Sequence, residues 1–154
     1  MKILVVSDTH GNYLAPLECM NYAEIDMIIH LGDDISDAKE LEQLLEIPII
    51  KVPGNCDPAA LEPRQISLKL GGRIFYITHG DICRVKAGLE LLVQKAQQKK
   101  ADVVLFGHTH SPMISKVEGI LLVNPGTLMA ASKTQSCAII TIKNGNVTAE
   151  TIFL

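Results

Sequence analysis

Apolar residues fall along the chain in short blocks, each closed by a polar cluster. Ile3 to Val6 is an unbroken aliphatic run before Asp8-Thr9-His10-Gly11-Asn12. Asp26 to Leu31 runs into Gly32-Asp33-Asp34, and Pro48 to Val52 runs into Pro53-Gly54-Asn55-Cys56-Asp57-Pro58. Continuous runs of this kind predict strands buried on both faces. Between the first two, Leu14, Leu17, Cys19, Met20 and Ala23 recur at helical spacing over residues 13–24. Pro16 is tolerable there only in a first turn. Between the second pair, Ser36 is a fair N-cap, Asp37 a first-turn charge, and Leu41, Leu44 and Leu45 carry a helix onward. The order β-α-β-α-β gives a parallel sheet with helices packed on it.

The pattern then changes period. Ile66 to Leu70 alternates, Gly71-Gly72 is a hairpin signal, and Arg73 to Thr78 returns as a strand before His79-Gly80-Asp81. An amphipathic helix is expected from Arg84 to Lys99, with Val85, Leu89, Leu92, Val93 and Ala96 on one face. Asp102 to Phe106 is another buried strand, leading into Gly107-His108-Thr109-His110. Two hairpins follow, turning at Glu118-Gly119 and Asn144-Gly145, with the turn Asn124-Pro125-Gly126-Thr127 between them. The reading is α/β, with residues 1–154 as a single domain containing either one mixed sheet or two sheets packed together.

Composition narrows the class. A chain of 154 residues can bury a full core, and with no Trp and 4% aromatics that core is aliphatic. The formal net charge is −3 and the longest basic run is Lys99-Lys100, so no extended nucleic-acid track is indicated. The 4 cysteines form no C-x-x-C pair, which suits reduced thiols in the cytoplasm. The N-terminal apolar stretch is too short for a signal peptide, and no segment reaches the roughly 20 apolar residues that cross a bilayer.

The polar clusters carry the chemistry. Of 5 histidines, His10, His79, His108 and His110 sit just past apolar runs, as do Asp8, Asp33 and Asn55. Loops at the carboxyl ends of strands in an open α/β sheet line one crevice. Carboxylates gathered there would repel one another and resist burial, and a cation removes that objection. Mixed imidazole and carboxylate donors suit Mn, Fe, Co, Ni or Zn. The lack of thiolate pairs disfavours a structural zinc site. Seven candidate ligands exceed the needs of one ion. Two ions roughly 3.5–4 Å apart, sharing a carboxylate, suit displacement at phosphorus.

Asp8-x-His10, Gly32-Asp33, Gly54-Asn55-Cys56-Asp57, His79-Gly80 and Gly107-His108-x-His110, in that order, resemble the calcineurin-like metallophosphoesterases. The small size and the Gly-Asn-Cys-Asp form resemble the short prokaryotic phosphodiesterase branch, and the likeness runs from residue 1 to about 128. It implies a four-layer α-β-β-α sandwich of two mixed sheets flanked by helices. It implies Asp8, His10 and His110 on a first metal, Asn55, His79 and His108 on a second, and Asp33 bridging both. The expected activity is phosphodiester hydrolysis, by in-line attack of a hydroxide held between two divalent ions, Mn foremost. Asp33, Asn55 and His108 are the expected catalytic residues and a small phosphoester the substrate. Phosphomonoester hydrolysis is the nearest alternative. The family also includes a retromer subunit that uses the fold as a protein scaffold. Whether the chain forms a homo-oligomer is left open.

Other residues get quieter expectations. Cys56 stands where many relatives carry a His able to protonate a leaving group, and a thiol with an ordinary pKa of about 8.5 is weaker at that task. Asp81 replaces the second His of a common His-Gly-His pattern and is left out of the ligand set. Asp57 either orients Asn55 or His108 or stabilises its own turn. His30, inside a strand, reads as a satisfied core histidine or a support behind the ligands. Cys19, Cys83 and Cys137 read as small buried groups, and Arg84 and Lys86 as a solvated helix start.

Overall fold

The computed structural model describes residues 1–19 and 22–154; the side chains of residues 18, 19 and 22 are also outside it. Of the two architectures open to the sequence, two five-stranded sheets packed together is the one formed. The first sheet is built from β1 (Lys2–Val6), β2 (Met27–His30), β3 (Ile49–Lys51), β9 (Ser136–Lys143) and β10 (Asn146–Phe153), in the order β10-β9-β1-β2-β3. The second contains β4 (Gln65–Leu70), β5 (Arg73–Thr78), β6 (Val103–Leu105), β7 (Met113–Val117) and β8 (Ile120–Asn124), in the order β4-β5-β6-β8-β7. Both are mixed. β1, β2 and β3 run parallel, as do β5, β6 and β8, while the hairpin partners on the flanks are antiparallel.

Three apolar layers follow from the alternation along the central strands. Ile3, Val5, Ile29 and Leu31 meet Phe75, Ile77, Val103 and Leu105 between the sheets. The other faces of the same strands, through Leu4, Val6 and Ile28, pack with Leu17, Leu45 and Ile47 on the outer side of the first sheet. Tyr76, Val104 and Phe106 pack under Leu92, Val93 and Ala96 of α3 (Glu90–Gln98). These interfaces make the α-β-β-α order of layers. They also explain the continuous apolar runs, since each central strand is covered on both faces.

Helix boundaries depart from the expectations. The first helix is described as α1 (Ala15–Cys19), and Tyr22–Glu24 forms a 3-10 turn; Met20 lies outside the described residues, as does the Cys19 side chain. The second, α2 (Ile35–Leu44), has Asp34 rather than Ser36 at its N-cap position. Asp37 lies in the first turn, as expected; it is also buried and accepts the Gly11 N–H at 2.8 Å, so it anchors a neighbouring loop as well. The expected helix from Arg84 begins only at Glu90, because Arg84 (φ 54°) and Gly88 (φ 153°) both turn the chain out of helical geometry. Cys83 and Cys137 are fully buried, as expected.

Candidate metal centre

The site forms where the carboxyl ends of both parallel strand sets converge. β1 delivers Asp8 and His10, β2 delivers Asp33, and β3 delivers Asn55; β5 and β6 bring His79, His108 and His110 from the second sheet. Backbone bonds sew these loops together. Asp8 N–H donates to Gly32 O (2.9 Å), Thr9 N–H to Asp33 O (3.2 Å) and Gly107 N–H to His79 O (2.8 Å). Glycine is required where the loops touch. A Cβ on Gly32, whose φ is +97°, would lie 2.3 Å from Gly54 N, and one on Gly107 would lie 1.9 Å from Ser7 Oγ.

Two groups of donors result: Asp8, His10 and His110, and Asp33, His79 and His108. In each, one carboxylate oxygen is tied down and the other is turned inward. Asp8 Oδ2 accepts from Ser7 Oγ (2.5 Å) and His108 N–H (3.1 Å). Its Oδ1 is buried without a hydrogen bond, though His110 Nε2 lies 3.0 Å away. Asp33 Oδ1 accepts Cys56 N–H at 2.8 Å, while Oδ2 lies 3.5 Å from His79 Nε2. His79 Nε2 is also 3.2 Å from Asn55 Oδ1 and 3.1 Å from His108 Nδ1. The opposite nitrogen of His79 donates to Leu31 O at 2.8 Å, which leaves the Nε2 lone pair facing the group.

These spacings test the fit of a cation. Donors about 2.1 Å from one ion lie roughly 3.0 Å apart at octahedral and 3.4 Å at tetrahedral angles. The observed 3.0–3.5 Å separations fall in that range. Without a shared cation or proton, an orphaned carboxylate oxygen and several inward lone pairs would remain at contact distance, which burial makes costly. The residues fit divalent ions held by nitrogen and oxygen.

Electrostatics follow the same geometry. Burial works against a charged His79, but the Asp33 carboxylate at its ring, with Asp8 nearby, raises its pKa overall. Burial and the His79 ring, with Lys86, push His108 down. Burial opposes ionisation of Asp33, yet the adjoining His79 ring, when it carries its second proton, and the Cys56 N–H hold its carboxyl far below the usual range. Burial and the Asp33 charge push the Cys56 thiol up to about 11. Backbone strain gathers here as well. Asp8, His10, Asp33, Asp34, His108 and His110 all have φ between 44° and 69°, a region that costs non-glycine residues on the order of 1 kcal/mol each and collects at functional sites.

The remaining candidates sort plainly. His30 is fully buried with both nitrogens used. Gly32 N–H donates to Nδ1 (3.1 Å), so Nε2 carries the proton given to Thr9 Oγ1 (3.1 Å), and burial drops its pKa to about 4. Asp57 accepts from Gly54, Asp33 and Ile35 N–H groups at 2.8–2.9 Å; it stabilises the turn, and these bonds go to neither Asn55 nor His108. Asp81 is ion-paired to Arg64. Two supports went unrecognised in the sequence. Asn124, fully buried, donates to Gly107 O (3.0 Å) and Thr109 Oγ1 (3.1 Å), and Thr127 Oγ1 donates to Asp8 O (2.8 Å). A polar turn closing an apolar strand was the available signal.

Residues 1–145 match the calcineurin-like phosphoesterase superfamily domain. The chain belongs to that superfamily. It is 35% identical over 152 residues to the probable metallophosphoesterase YsnB of Bacillus subtilis, covering 96% of this chain and 88% of the relative. It is 32% identical over 145 residues to the phosphodiesterase MJ0936 of Methanocaldococcus jannaschii, covering 82% and 83%. A Vps29 mutant structure from Entamoeba histolytica superposes with a TM-score of 0.79 over 100% of this chain and 99% of that one; at 20% identity it shows the fold alone. The chain is a metal-dependent phosphoester hydrolase with the metallo-dependent phosphatase fold. No helix among the described residues is long and apolar enough to cross a membrane.

Proposed function

We propose that residues 1–154 act as one domain that hydrolyses small phosphodiesters with two divalent ions. Asp8, His10 and His110 hold the first ion, Asn55, His79 and His108 the second, and Asp33 serves both. The observation that carries this reading is the set of inward donors at ligand spacing, with Asp8 Oδ1 buried and orphaned. The central place of Asp33 supports its shared role, because its backbone is bonded to the Thr9 loop and its side chain to the Cys56 loop. When bound, the ions supply positive charge to the phosphoryl oxygens and make a water acidic enough to attack phosphorus. The nitrogen and oxygen donors favour Mn first, with Ni, Fe, Co and Zn as alternatives.

The chain's own residues orient the reaction. Asn55, beside the second group, and His108, a member of it, would meet the substrate's phosphoryl oxygens. Cys56, with its pKa raised to about 11, is a poor proton donor to a leaving group, so esters of acidic alcohols should react fastest. Diesters are favoured over monoesters because Arg64, a cation near the Gly54 loop, is spent on Asp81 rather than free for a terminal phosphate. Cys56 and Cys83 form no disulfide, which is consistent with a cytoplasmic setting.

The test is Asp33→Asn assayed on paired chromogenic mono- and diesters with added Mn. We expect the diester kcat/KM to fall at least about 100-fold; activity near wild type would remove the shared role. A wild-type preference for the monoester would replace the diester assignment. A protein-binding scaffold on the same fold predicts instead that wild-type protein with added Mn or Ni turns over neither ester.

A further inference from the structure

At the start of α2, a residue type that usually caps its own helix does something else. Asp34 occupies the N-cap position, yet its side chain makes no capping bond. Asp57 Oδ1 takes the Ile35 N–H at 2.8 Å, and the Asp34 carbonyl accepts the Asp37 N–H at 3.0 Å. The helix start is therefore satisfied without the Asp34 carboxylate. Asp34 is held at φ 67°, a conformation better suited to glycine. Its Oδ2 reaches across to the loop after β1 and lies 3.2 Å from His10 Nδ1. Asp34 is not a member of the Asp8, His10 and His110 group. The contact across to that loop is with one nitrogen of one imidazole, Nδ1 of His10.

We propose that Asp34 is the positioning residue for His10. A neutral imidazole has one N–H and one lone pair. With its N–H at Nδ1 given to the Asp34 carboxylate, the lone pair is fixed at Nε2, where it can join Asp8 Oδ1 and His110 Nε2. His79 has the parallel arrangement, but its partner is the neutral Leu31 carbonyl. The two donor groups thus differ in the charge that supports their histidines, and loss of Asp34 should weaken only the one containing His10. This rests on the metal-site reading above.

The full-length chain is compared with Asp34→Gly and Asp34→Asn. Mn²⁺ binding is measured by titration calorimetry, thermal stability by melting, and the His10 tautomer by long-range ¹H–¹⁵N NMR without added metal. For Asp34→Gly we expect an unchanged or higher Tm, since φ 67° suits glycine and no cap is lost. One Mn²⁺ site should weaken about 10–100-fold while the other holds. Asp34→Asn should recover part of the affinity, because its amide oxygen still accepts the Nδ1 proton. The His10 ring should be Nδ1-protonated in the wild type and a tautomer mixture in Asp34→Gly. Unchanged Mn²⁺ affinity and tautomer would overturn the proposal, as would a lowered Tm with both sites weakened equally. Wild-type protein that binds no Mn²⁺, Co²⁺, Ni²⁺ or Zn²⁺ would sink the metal reading itself. In that case a tautomer shift still supports the Asp34–His10 contact, and its absence refutes it.

Discussion

Replacing Gly107 by Ala tests how tightly the two sheets are joined at the metal centre. Gly107 has an ordinary φ, so Ala brings no backbone strain; the penalty is steric. Its Cβ would stand 1.9 Å from Ser7 Oγ, 2.9 Å from Ser7 Cβ and 3.0 Å from Asp8 Oδ2, so about 1 Å of displacement is needed. Rotating Ser7 away does not solve the problem, because its hydroxyl is the 2.5 Å donor to Asp8 Oδ2 and its Cβ still collides. Overpacking costs about 1–3 kcal/mol, and the lost charge-assisted bond roughly 1.5–3 more if Ser7 moves. The total, about 2.5–6 kcal/mol, corresponds to a Tm drop of roughly 5–24 °C in a chain of this size. Asp8 is pushed as well, so Mn²⁺ affinity should fall roughly 10-fold or more. The decisive assay is a double-mutant cycle by chemical denaturation with Ser7→Gly, which removes both colliding atoms. Gly107→Ala should then cost about 1–3 kcal/mol less than it does alone. A penalty that persists undiminished beside Ser7→Gly, or a single variant as stable as wild type, would refute the steric account.

Further outcomes follow from the supports around the ligands. Asn124→Ala leaves Gly107 O, Thr109 Oγ1 and Gly126 N–H short of partners; stability measured by urea should drop about 2–3 kcal/mol, with Mn²⁺ binding weakened more than in a surface control. Asp57→Ala frees three N–H groups and should cost about 3 kcal/mol, read as a Tm loss of roughly 6–12 °C. His30 titrates at about 4 in the fold against an ordinary 6.5, so the unfolded chain binds the extra proton between those values. Its contribution is therefore complete above pH 6.5 and is lost as pH falls toward 4, by about 3 kcal/mol in all. Denaturation curves of His30→Gln should show a shallower pH slope in that window, and an identical slope would contradict the assignment.

The strand ends were legible because burial on both faces leaves a distinctive trace, an apolar run cut off by a polar cluster. Helix starts were not. Ser36 has the right chemistry for a cap, but Asp57, 22 residues past Ile35, supplies the bond. Asp37 was legible as a first-turn charge, but its bond to the Gly11 amide of another loop was not. Residues 84–89 carry helical spacing, but Gly88 and Arg84 adopt left-handed conformations that periodicity does not reveal. Among the site residues, type and order along the chain were visible. The opposed uses of the two oxygens on Asp8 and Asp33 were not.

By itself, the sequence determined which side chains could bind a cation and that each would sit at a strand end, because chain order and hydrophobic pattern are local properties. Only the tertiary structure decided how they group. His108 and His110 are two residues apart, yet they fall in different donor sets, and both are held at positive φ. Asp8 and His108 are 100 residues apart, yet one backbone N–H joins them. The physical reason is that the centre lies between two sheets. Its spacing is set by how closely Gly107 lets the second sheet approach Ser7 and Asp8 of the first, and no local feature of the chain encodes that distance.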